Sequence, residues 1–583
     1  MGTISDKLMR IINTKEDIRQ ALISKGYDVP TSIPFKEYAK MILDLPCNAD
    51  SFPDIEGIVA RYSASGLTNE QMAANPVWAD KTGNGRDLQL KNFSWKRMSG
   101  VGGYVQDFND FRNNATVDKI RIDEQGSNSI KVTILTTGIN NAIYIPKNIY
   151  QFNKSYFIKI SSEGHDEGDM ALSFYAPSTS TATTVTVSLN PNGITEIPAI
   201  KEDDFLAVYI NVGGKVGSFT VEQLPLYPGA LVFDGVDDYG VCENFPILTK
   251  EKGYTVVALR QWDQDFLNTT LTGGLLSTRN YSTGEGVAFE KIESSNKGYW
   301  NLGAGGIIDF AKSPFTWQTS KQYNNVGILK GDKNHGKPLC VGCGLSGGQQ
   351  CGRFAIWELV FLDHDATEEE LTKIKDYFVK TYPWLFPDQA WTVTGKTNED
   401  EDRATIANIT GNGNDLVLSN FGFIEGSGYN KEGEYAGYLV TDGVDDKITS
   451  SIFEMGNDWT VIGDWELINT GKKDNAGIVK FDSIVIYNYN PILINIKNGR
   501  NNLIPDQNTV NAICSDGRIY SKDWKESIYN EETESTSKNF LTIGYSGNSY
   551  TKIAFKNLAI YPTVLSKEDC IKAYNYLQTI KSK

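Results

Sequence analysis

One group of residues in the 583-residue sequence has the types and spacing of metal ligands. His335 is followed by Cys340, Cys343 and Cys351, and two cysteines separated by two residues can bind one zinc ion. However, Cys340 and Cys343 fall around a predicted strand, which directs residues three apart to opposite faces. A structural zinc site also usually has a second close pair of ligands. We therefore predict buried free thiols here, with no metal and no cofactor.

Two pairs of adjacent aspartates lie in glycine-containing segments. Asp237 and Asp238 form the first pair, and Asp445 and Asp446 form the second. Carboxylate oxygens are calcium ligands, but Ca²⁺ takes about six to eight oxygens, more than one pair supplies. Gly and Asp also tolerate turn conformations. We predict that these residues form turns, with calcium binding as the alternative.

The sequence offers little for catalysis. It has only three histidines, and hydrolysis of a glycosidic bond needs two carboxyl groups facing one cleft. The acidic run at 398–402 lacks the apolar alternation of a strand, and the run at 368–370 begins a predicted helix. We therefore predict a protein that is not an enzyme. A polysaccharide depolymerase or glycoside hydrolase is the alternative, and a strand-borne pair of carboxylates in a groove would favour it.

Aromatic side chains in loops are the candidates for glycan binding, because exposed rings stack on the apolar faces of sugars. Most Trp and Tyr residues are nevertheless core or half-buried residues of sheets. The glycan-binding candidates, selected by their loop setting, are Trp95, Tyr104, Trp300, Tyr487 and Tyr489.

An internal repeat organises the elements that would carry these residues. The segment 82–88 recurs at 410–416, and the segment 234–239, Asp-Gly-Val-Asp-Asp-Tyr, recurs at 442–447. Both copies then have an apolar strand, at 354–359 and 553–558, and a helix in which a hydroxyl N-cap, Thr367 or Ser566, is followed by acids in the first turn. Four landmarks in the same order predict a duplication.

The spacing of the landmarks locates an insertion in the first copy. Thr82 and Gly235 are 153 positions apart, whereas Thr410 and Gly443 are 33 apart. The difference of about 120 residues is the size of one domain. Seven β-rich runs between 129 and 221, separated by turn residues, predict an inserted β-sandwich after Tyr104.

The first 46 residues have a different, helical pattern. Apolar residues recur at helical spacing between proline and glycine stops, which predicts two or three short helices that need a partner surface. The residues expected to contact that partner are Ile18, Leu22, Phe35, Tyr38 and Ile42. Docking of these helices on the first large domain is the alternative.

These patterns resemble known families. Residues 13–39 are similar to the short N-terminal segments of fibre and decoration proteins of tailed bacteriophages, such as the head fibres of crAss-like phages. The Phe-Asp-Gly-Val-Asp-Asp-Tyr run at 233–239, the late strand at 354–361 and the closing helix resemble concanavalin A-like lectin/glucanase modules of the laminin-G type. The second copy matches less well, since Lys447 stands in place of the tyrosine.

The resemblance implies a mostly β protein with four parts. These are a helical virion anchor at 1–46, a first jelly-roll sandwich at 47–104 plus 228–386, an inserted carbohydrate-binding-like sandwich at 105–227, and a second jelly-roll sandwich at 387–583. The implied function is structural: a homo-oligomeric head or tail fibre at the virion surface, assembled in the host cytoplasm. Its helices would bind a capsid or other virion protein, and its sandwiches would bind cell-surface or mucosal glycans.

Composition agrees with a soluble surface protein that binds no nucleic acid. The chain has 56 basic and 72 acidic residues, a net charge of −16, which disfavours a polyanionic partner. It has no apolar run long enough for a secretory leader or a membrane span, so we predict no membrane insertion. The lack of an export signal also argues against a third alternative, a bacterial surface adhesin.

Overall fold

The structure is a computed structural model. It describes residues 19, 52–152, 154–166, 168–175, 185–202, 205–248, 253–267, 269–278, 288–291, 297–300, 307–309, 315–319, 338–345, 349–433, 435–468, 477–481, 484–487, 492–496, 500–504, 510–521, 524–528, 541–546 and 549–580. For the strands within 297–319 and 477–504 only the backbone is described. The five predicted anchor residues lie outside the described residues.

The chain divides into two compact units. One comprises residues 1–55 and 369–377, and within it the rings of Phe52 and Tyr377 lie 5.0 Å apart. The other comprises residues 56–368 and 378–583, and it contains the six large β-sheets, named A to F below.

Sheets A and B enclose one apolar core, which is built from residues 59–101 and 231–361. In spatial order, the strands of sheet A are Phe315–Thr319, Thr255–Trp262, Arg353–Leu362, Leu231–Asp234 and Gly100–Val101, with Ile58–Ser63 also pairing with Arg353–Leu362. Those of sheet B are Val77–Trp78, Leu88–Lys91, Tyr239–Cys242, Leu339–Val341, Gly273–Ser277, Ala288–Lys291, Lys297–Trp300 and Ile307–Asp309, with Cys343–Leu345 and Gln349–Cys351 beside them.

Sheets C and D enclose a second core, built from residues 105–221. The strands of sheet C are Val185–Ser188, Ala171–Tyr175, Ala207–Asn211, Asn141–Pro146 and Arg112–Asn113. Those of sheet D are Ile194–Ile197, Tyr156–Glu163, Gly217–Gln223, Ser129–Ile134 and Ile120–Gln125. All seven strands predicted here are present, and the structure adds three: Arg112–Asn113, Ile120–Gln125 and Ile194–Ile197.

Sheets E and F enclose a third core, built from residues 391–560. The strands of sheet E are Gly428–Tyr429, Leu439–Val440, Ile553–Tyr561, Thr460–Leu467, Val510–Cys514, Arg518–Ser521 and Glu526–Ile528, with Gln389–Thr392 also pairing with Ile553–Tyr561. Those of sheet F are Thr405–Ile406, Leu416–Ser419, Lys447–Thr449, Thr542–Ile543, Gly477–Phe481, Ile484–Tyr487, Ile492–Ile496 and Arg500–Ile504. The strands Tyr545–Ser546 and Ser549–Tyr550 form a separate hairpin.

The strands follow from two sequence patterns. Strand Ser129–Ile134 alternates half-buried and buried residues, as expected when one face of a sheet covers a core. Strand Arg353–Leu362 is apolar almost throughout and buried from Phe354 onward, as expected of a central strand covered on both faces. The protein is therefore mostly β, with sheets packed in sandwiches.

The helices are short and begin at polar residues. Their bounds are Asn69–Ala74, Gln264–Leu267, Glu368–Thr381 and Lys567–Gln578, with 3₁₀ turns at Phe108–Asp110, Lys147–Ile149 and Pro383–Leu385. The predicted cap of the last helix is confirmed, because the Ser566 hydroxyl accepts a hydrogen bond from the Asp569 N–H. No helix in the described part of the chain is long and apolar enough to span a membrane.

Candidate functional site

A cleft of about 780 Å³ lies between sheet D and sheet E. We call it the Lys556 cleft. The residues that define it are the aromatic Phe157, Tyr435, Tyr438, Trp524 and Tyr574 and the polar Asn190, Glu196, Glu466, Asn511 and Lys556. Its volume is in the range of small-molecule sites, which are typically about 300–1,000 Å³.

The floor of the cleft is an ionic cluster around Lys556. Its Nζ lies 3.7 Å from Oε1 of Glu196 on sheet D and 3.5 Å from Oδ2 of Asp464 on sheet E. The Tyr438 hydroxyl donates to Oδ1 of Asp464 at 3.1 Å, and Nε2 of Gln578 donates to Oδ2 at 3.2 Å. Asp464 therefore accepts from two neutral donors in addition to its ion pair.

A β-bulge places Lys556 in this cluster. Along the pair of strands Thr460–Leu467 and Ile553–Tyr561, Asp464 lies opposite Asn557 and Trp465 lies opposite Phe555. Lys556 is the extra residue between them. A bulge interrupts strict alternation and re-aims a side chain, so a lysine can reach the cleft from a strand that is apolar apart from Lys556 and Asn557.

Burial and the neighbouring carboxylates shift the pKa values of the groups in the cluster. Burial lowers the pKa of Lys556, but Glu196 and Asp464 together raise it above its ordinary value. Burial, together with the nearby Asp464 carboxylate, also raises the pKa of Tyr438 and that of Tyr574. At neutral pH the lysine is thus an ammonium and both phenols are neutral hydrogen-bond donors.

The aromatic side of the cleft is a packed group of rings. Tyr574 meets Phe157 edge to face at 5.4 Å and Trp524 edge to face at 5.6 Å. Trp524 lies in the turn between strands Arg518–Ser521 and Glu526–Ile528 and has φ +58, which is unusual for a bulky residue. Strain of this kind clusters at ligand sites.

The arrangement suits sugar binding better than sugar cleavage. Phe157, Trp524 and Tyr574 are buried, so the half-buried rings of Tyr435 and Tyr438 are the ones that can offer surface to C–H groups, with carboxylates and amides beside them as partners for hydroxyls. Two carboxylates, those of Glu196 and Asp464, meet at this cleft, and both pair with Lys556. Because Asp464 already accepts from Tyr438 and Gln578, its lone pairs are committed to the fold.

Each of the two aspartate turns is a further cluster of ionisable groups. Ligand oxygens of Asp234, Asp237 and Asp238 lie within 4.8 Å of one another, and those of 442, 445 and 446 do the same. Within the first turn, Oδ1 of Asp234 accepts from the Val236 N–H at 2.7 Å, and Oδ2 of Asp238 accepts from the Asp234 N–H at 3.0 Å. The predicted role in turn formation is confirmed, and three carboxylates rather than two could face a cation.

Burial sets the charge of these turns. It raises the pKa of Asp238 to about 7, with a further contribution from Asp234. It likewise raises the pKa of Asp446 to about 6. Oδ1 of Asp238 accepts from the Ser99 hydroxyl at 3.0 Å, whereas Oδ1 of Asp446 has no hydrogen-bond partner among the described residues.

The prediction of free thiols is wrong for two cysteines. Cys340 and Cys343 form a disulfide with a Cα–Cα distance of 6.2 Å. The argument from strand alternation fails because Gly342, at φ +94, separates strand Leu339–Val341 from strand Cys343–Leu345. Cys351 is buried and forms no disulfide with a described cysteine, and His335 lies outside the described residues. The cysteines at 242, 514 and 570 are likewise buried and outside any described disulfide.

The structure describes the side chains of two predicted glycan-binding residues, Trp95 and Tyr104, and neither lines the Lys556 cleft. Trp95 is half-buried and stacks on Phe93 at 4.9 Å. Tyr104 is half-buried, and its hydroxyl accepts from Asn128 at 3.4 Å. Trp300 and Tyr487 lie on strands Lys297–Trp300 and Ile484–Tyr487, of which the backbone alone is described, and Tyr489 lies outside the described residues.

One sequence signal pointed to the cleft. Lys556 interrupts the apolar run at 553–558, where the matching run of the first copy has Trp357. A charged residue in the middle of a buried strand needs a partner. One of its two partners, Glu196, is 360 positions away, so the sequence alone does not identify it.

Comparison with known proteins gives structural likenesses only. No family model and no curated protein matches the sequence. Trypanosoma rangeli sialidase in complex with sialic acid is 9% identical, with TM-score 0.25 over 79% of this chain and 85% of its own. The binding domain of botulinum neurotoxin serotype D is 11% identical, with TM-score 0.22 over 59% and 89%. The N-terminal CBM22 tandem domain of Paenibacillus barcinonensis Xyn10C is 10% identical, with TM-score 0.16 over 46% and 99%. TM-scores this low carry no argument about what the chain binds.

Proposed function

We propose that this protein is a non-catalytic glycan-binding protein and that the Lys556 cleft is its binding site. The observation that carries the proposal is the combination, in one cleft, of the half-buried rings of Tyr435 and Tyr438 with carboxylate, amide and ammonium groups. Sugars are recognised by just these two kinds of contact, ring faces for C–H groups and fixed polar atoms for hydroxyls.

The test is binding of the full chain to a glycan array, followed by calorimetry with the strongest ligand. Tyr435 lines the cleft and is half-buried, so Tyr435→Ala removes a ring without opening a core. We expect about tenfold weaker binding, the effect of losing one aromatic contact.

The matched control is Tyr209→Ala. Tyr209 is also half-buried, but it stacks on Tyr144 at 5.6 Å on sheet C and does not line the cleft. This variant should bind as the wild type does. No array ligand at all, or equal losses in both variants, would contradict the proposed site.

The domain organisation that we propose is the one expected from the sequence. Two concanavalin A-like sandwiches, at 47–104 plus 228–386 and at 387–583, arise by duplication, and a third at 105–227 is inserted in the first. The strand orders support this, because sheet F repeats the order of sheet B and sheet E repeats that of sheet A, with two further strands, Arg518–Ser521 and Glu526–Ile528, at one edge. The turn contacts support it too: the Val444 N–H donates to Asp442 at 2.7 Å, as that of Val236 does to Asp234.

We further propose the setting that the sequence suggests, a homo-oligomeric head or tail fibre or decoration protein on a phage virion. Residues 1–46 would attach it to a capsid or other virion protein, and the cleft would bind host or mucosal glycans. The support is the pattern of the first 46 residues and the net charge of −16. Mass spectrometry of purified particles should detect the chain, and its absence from them would remove this part of the proposal.

The second candidate function is glycoside hydrolysis. It is favoured by one observation, that carboxylates on two different strands, Glu196 and Asp464, approach the same ammonium group in a cleft. Incubation of the chain with capsular polysaccharides should release no new reducing ends. Release that is lost in Glu196→Gln would establish the hydrolase instead.

A further inference from the structure

We propose that Lys556 and Asp464 become joined by an isopeptide bond, an amide between the two side chains, and that Glu196 is the acid–base group of this reaction. The bond links strand Thr460–Leu467 to strand Ile553–Tyr561, its neighbour in sheet E. This modification goes beyond the proposed glycan-binding function and does not depend on it, because the new amide still donates and accepts hydrogen bonds.

The three reacting groups lie side by side and are largely removed from water. Nζ of Lys556 is 3.5 Å from Oδ2 of Asp464 and 3.7 Å from Oε1 of Glu196. The side chains of Lys556, Asp464 and Glu196 are 16%, 10% and 24% exposed. Groups held about 3–3.5 Å apart react as if at very high local concentration. The backbone pairing of the two strands holds the amine and the carboxyl at this spacing.

The hydrogen bonds at Asp464 suit attack at its Cγ. The Tyr438 hydroxyl donates to Oδ1 at 3.1 Å, and Nε2 of Gln578 donates to Oδ2 at 3.2 Å. Burial raises the pKa of Tyr438 well above its ordinary value, so the phenol remains a neutral donor. Fixed donors at a carboxyl oxygen stabilise the negative charge that develops there when a nucleophile adds.

Lys556 needs a base before it can attack, and Glu196 is in place to be that base. Burial lowers the pKa of Lys556, but the two carboxylates raise it further, so the ammonium is the resting form. Desolvation penalises the ion pair more than a neutral amine beside a neutral carboxyl. Transfer of one proton from the lysine to the aspartate through Glu196 is therefore assisted by burial.

The reaction balances without any other reactant. Glu196 takes a proton from the ammonium and passes it to Oδ2 of Asp464. The neutral amine then adds to Cγ, and Oδ2 leaves as water with that proton and a second one from the nitrogen, again carried by Glu196. One C–N bond forms, one C–O bond breaks and nothing is oxidised or reduced. Glu196 ends as the carboxylate that it was, and the water can leave through the cleft.

Sheet A shows that this place in a sandwich does not require charged residues. The same bulge occurs there: Leu259 lies opposite Glu358 and Arg260 opposite Ile356, so Trp357 is the extra residue, as Lys556 is in sheet E. Leu259 and Trp357, at the places of Asp464 and Lys556, are both fully buried. Since buried ion pairs are often no more stabilising than apolar residues, packing alone does not account for the charged set in sheet E.

The test is the mass of the intact full chain, measured after reduction of its disulfides. We expect a mass lower by one water than the sequence gives. A tryptic digest should contain peptide 448–472 covalently joined to peptide 553–567, which remains uncut at Lys556. The full sequence mass, with the two peptides separate, would overturn the proposal. Glycan binding is measured separately, so either result leaves the proposed function to its own test.

Three variants assign the reaction to these residues. Lys556→Arg should regain the water, whereas a water loss that persists would place the dehydration elsewhere in the chain and overturn the proposal. Glu196→Gln cannot carry a proton, so we expect its linked fraction to be smaller by at least about tenfold. An undiminished fraction would overturn the role of Glu196. The matched control is Lys431→Arg: Nζ of Lys431 lies 2.8 Å from Oε1 of Glu399, but both side chains are exposed, so this variant should lose the water as the wild type does.

Discussion

Asp446 lies in the turn that follows strand Leu439–Val440, and its side chain is fully buried. Its Oδ2 accepts from the Asp442 N–H at 2.8 Å, while Oδ1 has no hydrogen-bond partner among the described residues. Burial is the main reason that its pKa rises to about 6, and the pKa of Asp238 rises to about 7 for the same reason. In the unfolded chain an aspartate titrates near pH 4, at about 3.9.

These raised pKa values determine the direction in which the free energy of unfolding changes with pH. Between about pH 4 and pH 7 the folded protein holds protons that the unfolded chain releases, so the free energy of unfolding falls as pH rises. The Asp446→Asn side chain cannot ionise. Between pH 5 and pH 8 we therefore expect the free energy of unfolding to fall by about 1–3 kcal/mol less in this variant than in the wild type, measured by urea unfolding with EDTA present.

The control for this prediction is Asp445→Asn, which makes the same change of charge at the exposed neighbouring residue. Its stability should vary with pH as that of the wild type does. Parallel pH profiles for wild type and Asp446→Asn would show that burial of Asp446 does not govern its ionisation. His165 acts in the opposite sense: burial lowers its pKa, so its protonation destabilises the fold as pH falls below about 6.5.

At the scale of elements, a short interruption of a strand explains why two cysteines predicted to be free form a disulfide. Gly342 ends strand Leu339–Val341 at φ +94 and allows Cys340 to reach Cys343. A Cβ at Gly342 would lie 2.5 Å from Cδ1 of Phe233 and 2.8 Å from the backbone oxygen of Asp238. No L side chain fits there without movement of a buried ring.

We therefore expect Gly342→Ala to lower the free energy of unfolding by about 2 kcal/mol more than Gly83→Ala, measured in urea. Gly83 also has positive φ, +77, but its Cβ would meet nothing within 4 Å. The comparison thus separates steric overlap from backbone strain. Equal losses in the two variants would indicate that the chain around Gly342 can move to accept a methyl group.

Much of the β structure could be predicted because it depends on local patterns. The seven runs between 129 and 221 and the Ser566 cap are visible as alternation and as a hydroxyl followed by acids. Strand Ile194–Ile197 has four residues, of which only Ile197 is fully buried, so it has no such signal. The cleft could not be predicted, because its floor joins this strand to a bulge at Lys556.

At the scale of the whole unit formed by residues 56–368 and 378–583, helix Lys567–Gln578 contacts all three pairs of sheets. Tyr574 meets Phe157 of sheet D at 5.4 Å. The Tyr576 hydroxyl donates to Oε1 of Gln261 on sheet A at 3.2 Å, and its ring lies 6.2 Å from that of Trp357. Gln578 donates to Asp464 of sheet E. The helix therefore fixes the two walls of the Lys556 cleft relative to each other.

The central claim, that glycans bind in the Lys556 cleft, is tested most directly by hydrogen–deuterium exchange of the full chain with and without the glycan that binds most tightly on the array. We predict slower exchange in residues 187–199 and 435–438 and in the turn at 524–526, which belong to the walls of the cleft or flank them. Exchange at the aspartate turns, 234–238 and 442–446, should not change. Slower exchange only at those turns or around Trp95, with none at the cleft walls, would contradict the account.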